Sequence, residues 1–349
     1  MSIDLHHHGD RDTAPGLVDL AVNVRLPSPP AWLAEVVTRT VADLGRYPDA
    51  RPATQAIARR HRVPEEAVLP TSGGAEAFTL VARAVAGVEP WVVHPQFTEP
   101  EAALTAAGRP VRRHVLVAGG DFRLDPAAFD RGGPAEGCDL VVVGNPTNPT
   151  GVLHRRADLL ALRRAGRVLV VDEAFMDAVP GETESLIGDD LEGLLVLRSL
   201  TKTWGLAGLR AGYVVGDPAL ISALRAVQPP WSVSSPALAA TVACLSDRGV
   251  AEADAAALEI ATLRSVLVDG LTAAGVAPVP SRAPFVLVET SSLGPGSVRE
   301  PLAAEGFAVR RAETFPGLGP TWIRMAVRDA DTSQQLCAAL RRLGGRRVA

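Results

Sequence analysis

The sequence predicts an α/β fold, with a mainly parallel sheet lying between helices and joined to a smaller α+β domain. Three observations carry this. Short β-branched apolar runs alternate with helical stretches from about residue 68 to 216. Those runs are apolar on both faces, as parallel strands covered on both sides are. A long Ala/Leu-rich stretch starting at Pro236 then leads into a different, sparser pattern.

Residues 1–45 read as an N-terminal arm that belongs with the small domain. Residues 46–235 form the large domain. Its strands are expected at Trp91-Val-Val-His94, Val111 to Val117, Leu140-Val-Val-Val143, Val168 to Val171 and Leu194-Leu-Val-Leu197. Helical stretches lie between them, such as Ala75 to Val85, Pro100 to Ala107 and Ala157 to Ala165. Residues 236–349 comprise a long linker helix from Pro236 to about Ala274, strands near Phe285 to Glu289 and Trp322 to Val327, and a last helix from Ser333 to Leu343. In a sheet of this kind ligands sit beyond the carboxyl ends of the strands, which directs attention to the residues that follow each run.

Composition narrows the function. At 47% hydrophobic and 21% charged the chain is an ordinary globular one. No apolar run approaches the ~18 residues of a membrane span, and no basic-then-apolar leader opens it. Cys138, Cys244 and Cys337 are odd in number and scattered, which argues against a disulfide framework and for a reducing cytoplasm. A net charge of -4 gives no reason to expect nucleic acid. His6, His7 and His8 lack the neighbouring ligands of a metal tract, so no metal is expected. Of the 35 basic residues, only Lys202 is lysine. Arginine stays charged in proteins, whereas lysine can lose its proton and act as an amine nucleophile. A lysine kept in so Arg-rich a chain is a candidate for that chemistry.

The motifs around Lys202 give it a setting. It lies in Arg198-Ser-Leu-Thr-Lys-Thr-Trp-Gly-Leu-Ala-Gly-Leu-Arg210, just past a strand, with no glycine-rich P-loop before it and no G-x-G-x-x-G elsewhere after a first strand. Upstream strands end in Val171-Asp-Glu-Ala-Phe175 and in Gly144-Asn-Pro-Thr-Asn-Pro-Thr-Gly151, and Thr71-Ser-Gly-Gly-Ala-Glu76 opens a helix. Each piece suits an aromatic aldehyde phosphate. A lysine amine condenses with the aldehyde as a Schiff base, and a strand-end carboxylate pairs with a pyridinium nitrogen, making the ring an electron sink. A Gly-Gly-Ala turn into a helix offers backbone N–H groups to a phosphate, which arginine and hydroxyls complete.

On these motifs, in this order and spacing, the sequence resembles the fold-type I pyridoxal-phosphate enzymes of the class I/II aminotransferase group over nearly its whole length. Within that group it is most similar to the branch of histidinol-phosphate aminotransferases and threonine-phosphate decarboxylases. The resemblance implies a fold-type I transferase with pyridoxal 5'-phosphate as cofactor. Lys202 is then the Schiff-base lysine and Asp172 the partner of the pyridine nitrogen. Asn148 bonds the ring oxygen, Gly74, Ala75, Ser199, Thr201 and Arg210 hold the phosphate, and Phe97 stacks on the ring. Tyr47, in Arg46-Tyr-Pro-Asp49, matches a tyrosine that reaches the neighbouring subunit's cofactor phosphate, which implies a homodimer. Arg324, in Trp322-Ile-Arg-Met-Ala-Val327, matches the arginine that grips the substrate α-carboxylate.

The bond that breaks at Cα is the one held perpendicular to the ring, and that alignment is not written in sequence. Three features lean towards decarboxylation of a small phosphorylated amino acid, L-threonine O-3-phosphate, in cobalamin biosynthesis. Phe175 stands where the aminotransferases of this branch carry a tyrosine. The arm, with His8-Gly9-Asp10 and Val18 to Asn23, resembles the decarboxylases' phosphate-binding arm. Phe315-Pro-Gly-Leu-Gly319 resembles their turn before Arg324. One departure stands out: after Asn23 the chain has Arg25-Leu26 in place of a second Asn-Pro, so Arg25 is a candidate substrate ligand or a surface charge. The alternatives are transamination of histidinol phosphate and, remotely, a non-catalytic cofactor-binding module.

Overall fold

A computed structural model describes residues 4–87, 89–131, 137–188 and 190–345. Its strands in chain order are β1 (Val18–Leu20), β2 (Val68–Thr71), β3 (Pro90–His94), β4 (Arg112–Val115), β5 (Leu140–Gly144), β6 (Val168–Asp172), β7 (Leu194–Ser199), β8 (Gly212–Gly216), β9 (Phe285–Glu289), β10 (Phe307–Arg311) and β11 (Trp322–Ala326). Seven of them form one sheet, ordered β2-β8-β7-β6-β5-β3-β4. Within it β8 runs antiparallel to both β2 and β7, and every other pair is parallel. Strands β5, β7 and β8 are buried at every residue. Their continuous apolar runs are explained by helices on both faces, where two separate hydrophobic clusters lie.

The second sheet, ordered β1-β10-β11-β9, brings the arm's β1 beside β10, in parallel, with Val18 opposite Phe307. Its core is a third cluster that includes Leu20, Val286, Val309, Met325 and Leu340. Strand β10 goes beyond the strands expected from the sequence. The predicted linker helix is two helices, Ser235–Cys244 and Asp247–Ala273. The break falls at Ser246, whose side chain accepts from the Gly249 N–H and caps the second helix.

Among the described residues the three cysteines are free and buried. No helix there is long and apolar enough to cross a membrane, and no cluster of His, Cys, Asp and Glu is arranged to hold a metal ion.

Candidate active site

Strand direction gathers the site. The carboxyl ends of β2, β3, β5, β6 and β7 share one edge of the large sheet, and β8, running the other way, presents its amino end there. Gly74 and Ala75 therefore follow β2, Phe97 follows β3, Asn148 follows β5, Asp172 ends β6, Ser199 ends β7 with Thr201 and Lys202 just past it, and Arg210 precedes β8. Arg324 comes from β11 of the other sheet, and His8 and Asn23 from the arm. All of these line one cavity of about 540 Å³, within the usual range for small-ligand sites.

At one end the helix Gly73–Ala84 points its amino terminus into the cavity beside Ser199 and Thr201, whose hydroxyl oxygens are 2.8 Å apart. Gly73 has φ +79°, and a Cβ there would come within 2.6 Å of Arg210 Nη2, so glycine is what lets the guanidinium approach the helix. Arg210 is itself left-handed, at φ 60°, a strained placement for a non-glycine residue. N–H groups, two hydroxyls and a guanidinium form an anion cup. Phe97 is half-buried, its ring 6.3 Å from that of Phe78 and 5.7 Å from that of His8.

Lys202 is held down at about 8, by burial first and then by the positive charges of Arg324 and Arg210, against the pull of Asp172. Burial pushes Asp172 up to about 6, opposed by the Ala174 N–H and by Lys202. At neutral pH a usable share of the lysine is free amine while Asp172 stays mostly ionised. Arg324 donates through Nη1 to Asn148 Oδ1 at 2.5 Å and through Nη2 to the Ala21 carbonyl, with its guanidinium 5.2 Å from the Phe285 ring centre. Burial and the charge of Arg310 pull its pKa well below the arginine value. Its Nε and the Oδ1 of Asn23 are buried without hydrogen-bond partners. An anion cup, one basic amine, one strand-end carboxylate, an aromatic wall and orphaned polar atoms make a donor set that fits pyridoxal 5'-phosphate beside a carboxylated substrate.

Two named residues lie elsewhere. Arg25 is not in the cavity: its Nη2 lies 2.5 Å from Glu259 Oε2, because the long helix Asp247–Ala273 runs beside the arm, while its backbone N–H bonds the Lys202 carbonyl. Of the two readings of Arg25, substrate ligand or surface charge, this geometry favours the second. Tyr47 is 76% exposed and stacks on Trp231, with ring centres 4.2 Å apart. Phe175 and Phe315, singled out in the sequence, line the same wall, and the structure adds Arg310. Arg310 bonds Asp12, the His7 carbonyl and Thr314, with its guanidinium 4.8 Å from the Phe315 ring centre. One arginine among so many carries little signal. The buried acid Asp12, nearly 300 residues away, supplies none until the fold pairs them.

Residues 16–340 match the sequence profile of the family described as aminotransferase class I and II. The chain is 46% identical over 325 residues to a histidinol-phosphate aminotransferase of Mycobacterium tuberculosis, covering 92% of this chain and 86% of that one. It is 31% identical over 334 residues to the threonine-phosphate decarboxylase of Salmonella typhimurium, covering 93% and 90%. Among solved structures it is similar to the aspartate aminotransferase of Thermus thermophilus with maleate, at TM-score 0.82 and 25% identity, over 94% of this chain and 92% of that one.

Proposed function

From the premise that the chain belongs to the class I and II aminotransferase family, whose enzymes depend on pyridoxal 5'-phosphate, we propose that it decarboxylates a small phosphorylated amino acid, L-threonine O-3-phosphate, in cobalamin biosynthesis. The observation that carries this reading is Arg324. It is a buried guanidinium facing the cavity, and no carboxylate is paired with it among the described residues. A buried cation left without a counter-ion is costly, so an anion is its natural occupant. A second guanidinium, Arg310, lines the same cavity next to the arm. Threonine phosphate offers Arg324 its α-carboxylate and brings its phosphate towards Arg310, which also pairs with Asp12. In transamination of histidinol phosphate, which has no α-carboxylate, Arg324 would meet a carboxylate only in the 2-oxo acid.

In this mechanism Lys202 is the amine that holds the cofactor and afterwards moves a proton at Cα. Asp172 keeps the ring nitrogen protonated, and Asn148 donates to the ring oxygen. The bound cofactor supplies the electron sink. Gly74, Ala75, Ser199, Thr201 and Arg210 would hold its phosphate, and Phe97 would pack against its ring. Arg324 orients the α-carboxylate. His8, Asn23 and Arg310 meet the rest of the substrate, with the arm excluding water. Phe175, packed edge-on against Phe285 at 4.9 Å, leaves that wall without a hydroxyl.

The same reading makes the protein a homodimer, in which Tyr47 reaches the partner's cup. Its support is the stacked and exposed Tyr47–Trp231 pair, with Trp231 at φ 55°. Free, buried thiols support a cytoplasmic setting. A second reading, transamination of histidinol phosphate, is favoured by the name of the 46%-identical relative. The two are separated by incubating the enzyme with threonine phosphate while following CO₂, and with histidinol phosphate plus 2-oxoglutarate while following glutamate. CO₂ without glutamate supports the first, and glutamate without CO₂ the second.

A further inference from the structure

Behind the cavity lies a buried charge network that the chemistry above leaves unused. Glu173 follows Asp172, and Arg198 precedes Ser199. Side chains alternate along strands, so these two turn away from the cavity that Asp172 and Ser199 line. They meet on its far side: Arg198 Nε lies 3.0 Å from Glu173 Oε2, with the two side chains 5% and 0% exposed. Arg198 Nη2 also donates to Glu182 Oε2 at 2.5 Å and to Ser185 Oγ at 3.1 Å. Arg60 donates to the other Glu182 oxygen at 3.0 Å. Glu173 accepts further from Ser185 Oγ at 2.7 Å and from the Leu186 N–H at 2.6 Å. Glu173 and Glu182 face the guanidinia of Arg198 and Arg60, with Asp177 lining the same chamber. Burial pushes Glu173 up against the pull of Arg198. Arg198 holds Glu182 down at about 2 even though burial works the other way.

The backbone ties this network to the site. The Glu173 N–H donates to the Leu197 carbonyl at 2.9 Å, carrying the β6–β7 ladder one residue past Asp172. Asp172 Oδ1 accepts from the Ala174 N–H at 3.0 Å. Segments 172–174 and 197–199 are thus joined by the ladder within the sheet and by the ion pair on its far side. Ser199 stands in the wall between the site and a small chamber lined by Glu173, Glu182 and Arg198.

We propose that the buried Glu173–Arg198 ion pair is a positioning element, which fixes the strand ends presenting Asp172 to the cofactor ring and Ser199 to its phosphate. The proposal rests on the cofactor-facing roles given to those two residues. Removing Glu173 leaves two guanidinia facing Glu182 alone, and removing Arg198 strips Glu173 of its guanidinium. A displacement of ~1 Å transmitted to a reacting group costs on the order of 10²-fold in rate. Glu173 also adds negative charge beside Asp172 and helps to keep its pKa up.

The test compares the reconstituted wild type with Glu173→Gln, Arg198→Met, Arg198→Lys and Ser185→Ala, the last being a milder cut that removes one hydrogen bond from each member of the pair. The readouts are cofactor affinity, the pH titration of the lysine-bound chromophore, and kcat against KM. Glu173→Gln should weaken cofactor binding by about tenfold or more and lower kcat by about 10²-fold while KM changes little. It should also move the chromophore's midpoint down by roughly half a unit to one unit, because a negative charge near Asp172 is lost. Ser185→Ala should shift the same readouts in the same direction by less, and Arg198→Lys should recover part of what Arg198→Met loses. A folded Glu173→Gln or Ser185→Ala enzyme with the wild-type titration and kcat would overturn the proposal. Should Glu173→Gln prove insoluble, Ser185→Ala decides. A wild type that forms no chromophore strikes down the cofactor-facing roles themselves, which distinguishes the two failures.

Discussion

Replacing Arg324 by methionine should slow capture of pyridoxal phosphate by Lys202 more at neutral pH than in alkali. The wild-type amine sits at about 8 against an ordinary 10.5, so at pH 7 the free-amine fraction is raised roughly 300-fold over that of an unperturbed lysine. Burial is the largest cause, and Arg324 is the next. Methionine keeps the burial and removes the positive charge, so the amine's pKa rises and less of it is free at pH 7. Each unit regained cuts the free amine by about tenfold there, and a contribution of about half a unit to one unit predicts capture slowed by roughly 3- to 10-fold. Near pH 10 both amines are largely deprotonated and the difference should close. Loss of the contact to Asn148 alters binding at every pH alike, so the informative quantity is the variant-to-wild-type rate ratio across pH. The apoprotein should tolerate the change, since it removes a buried cation with no carboxylate partner. Stopped-flow absorbance at a series of pH values measures it. A ratio that stays flat from pH 7 to 10 would refute the electrostatic account of Lys202.

Three further perturbations bear on separate parts of the structure. Gly73→Ala forces a left-handed alanine, costing about 1–2 kcal/mol, and pushes its Cβ against Arg210, so the cofactor Kd should rise by about tenfold in an absorbance titration. Arg25→Ala breaks only the partly exposed pair with Glu259, so thermal stability should fall by less than about 1 kcal/mol and the substrate KM should hold; a large rise in KM would restore Arg25 as a ligand. Phe175→Tyr adds a hydroxyl to a cavity-wall residue packed against Phe285 and Ala283. A hydrogen bond from it to the cofactor's ring oxygen would contribute about 1 kcal/mol, so the cofactor Kd should fall by roughly fivefold in an absorbance titration, and an unchanged or higher Kd would contradict that reach.

Much of the large sheet was legible because its strands are buried on both faces, which writes them as unbroken runs such as Leu140 to Val143. The residues just past those runs, Asn148, Asp172 and Lys202, were legible for the same reason: strand ends in a parallel sheet converge by topology. The reversal of β8 was not, since Gly212–Gly216 reads the same in either direction. Strand β10 hid because Phe307-Ala-Val-Arg-Arg311 is brief and ends in two arginines, which composition had made ordinary. The fate of Arg25 depended on Glu259, 234 residues later, a pairing only the fold creates. The Glu173–Arg198 brace hid differently: its residues adjoin the site motifs in sequence but face away from them.

The most direct test of the account is turnover of carboxyl-labelled L-threonine O-3-phosphate by the reconstituted enzyme, with labelled CO₂ and any glutamate from added 2-oxoglutarate counted in the same reaction. One CO₂ is expected for each substrate consumed, with no glutamate and with turnover lost in Lys202→Ala. Glutamate formation from histidinol phosphate, with the carboxyl label of threonine phosphate retained, would contradict it.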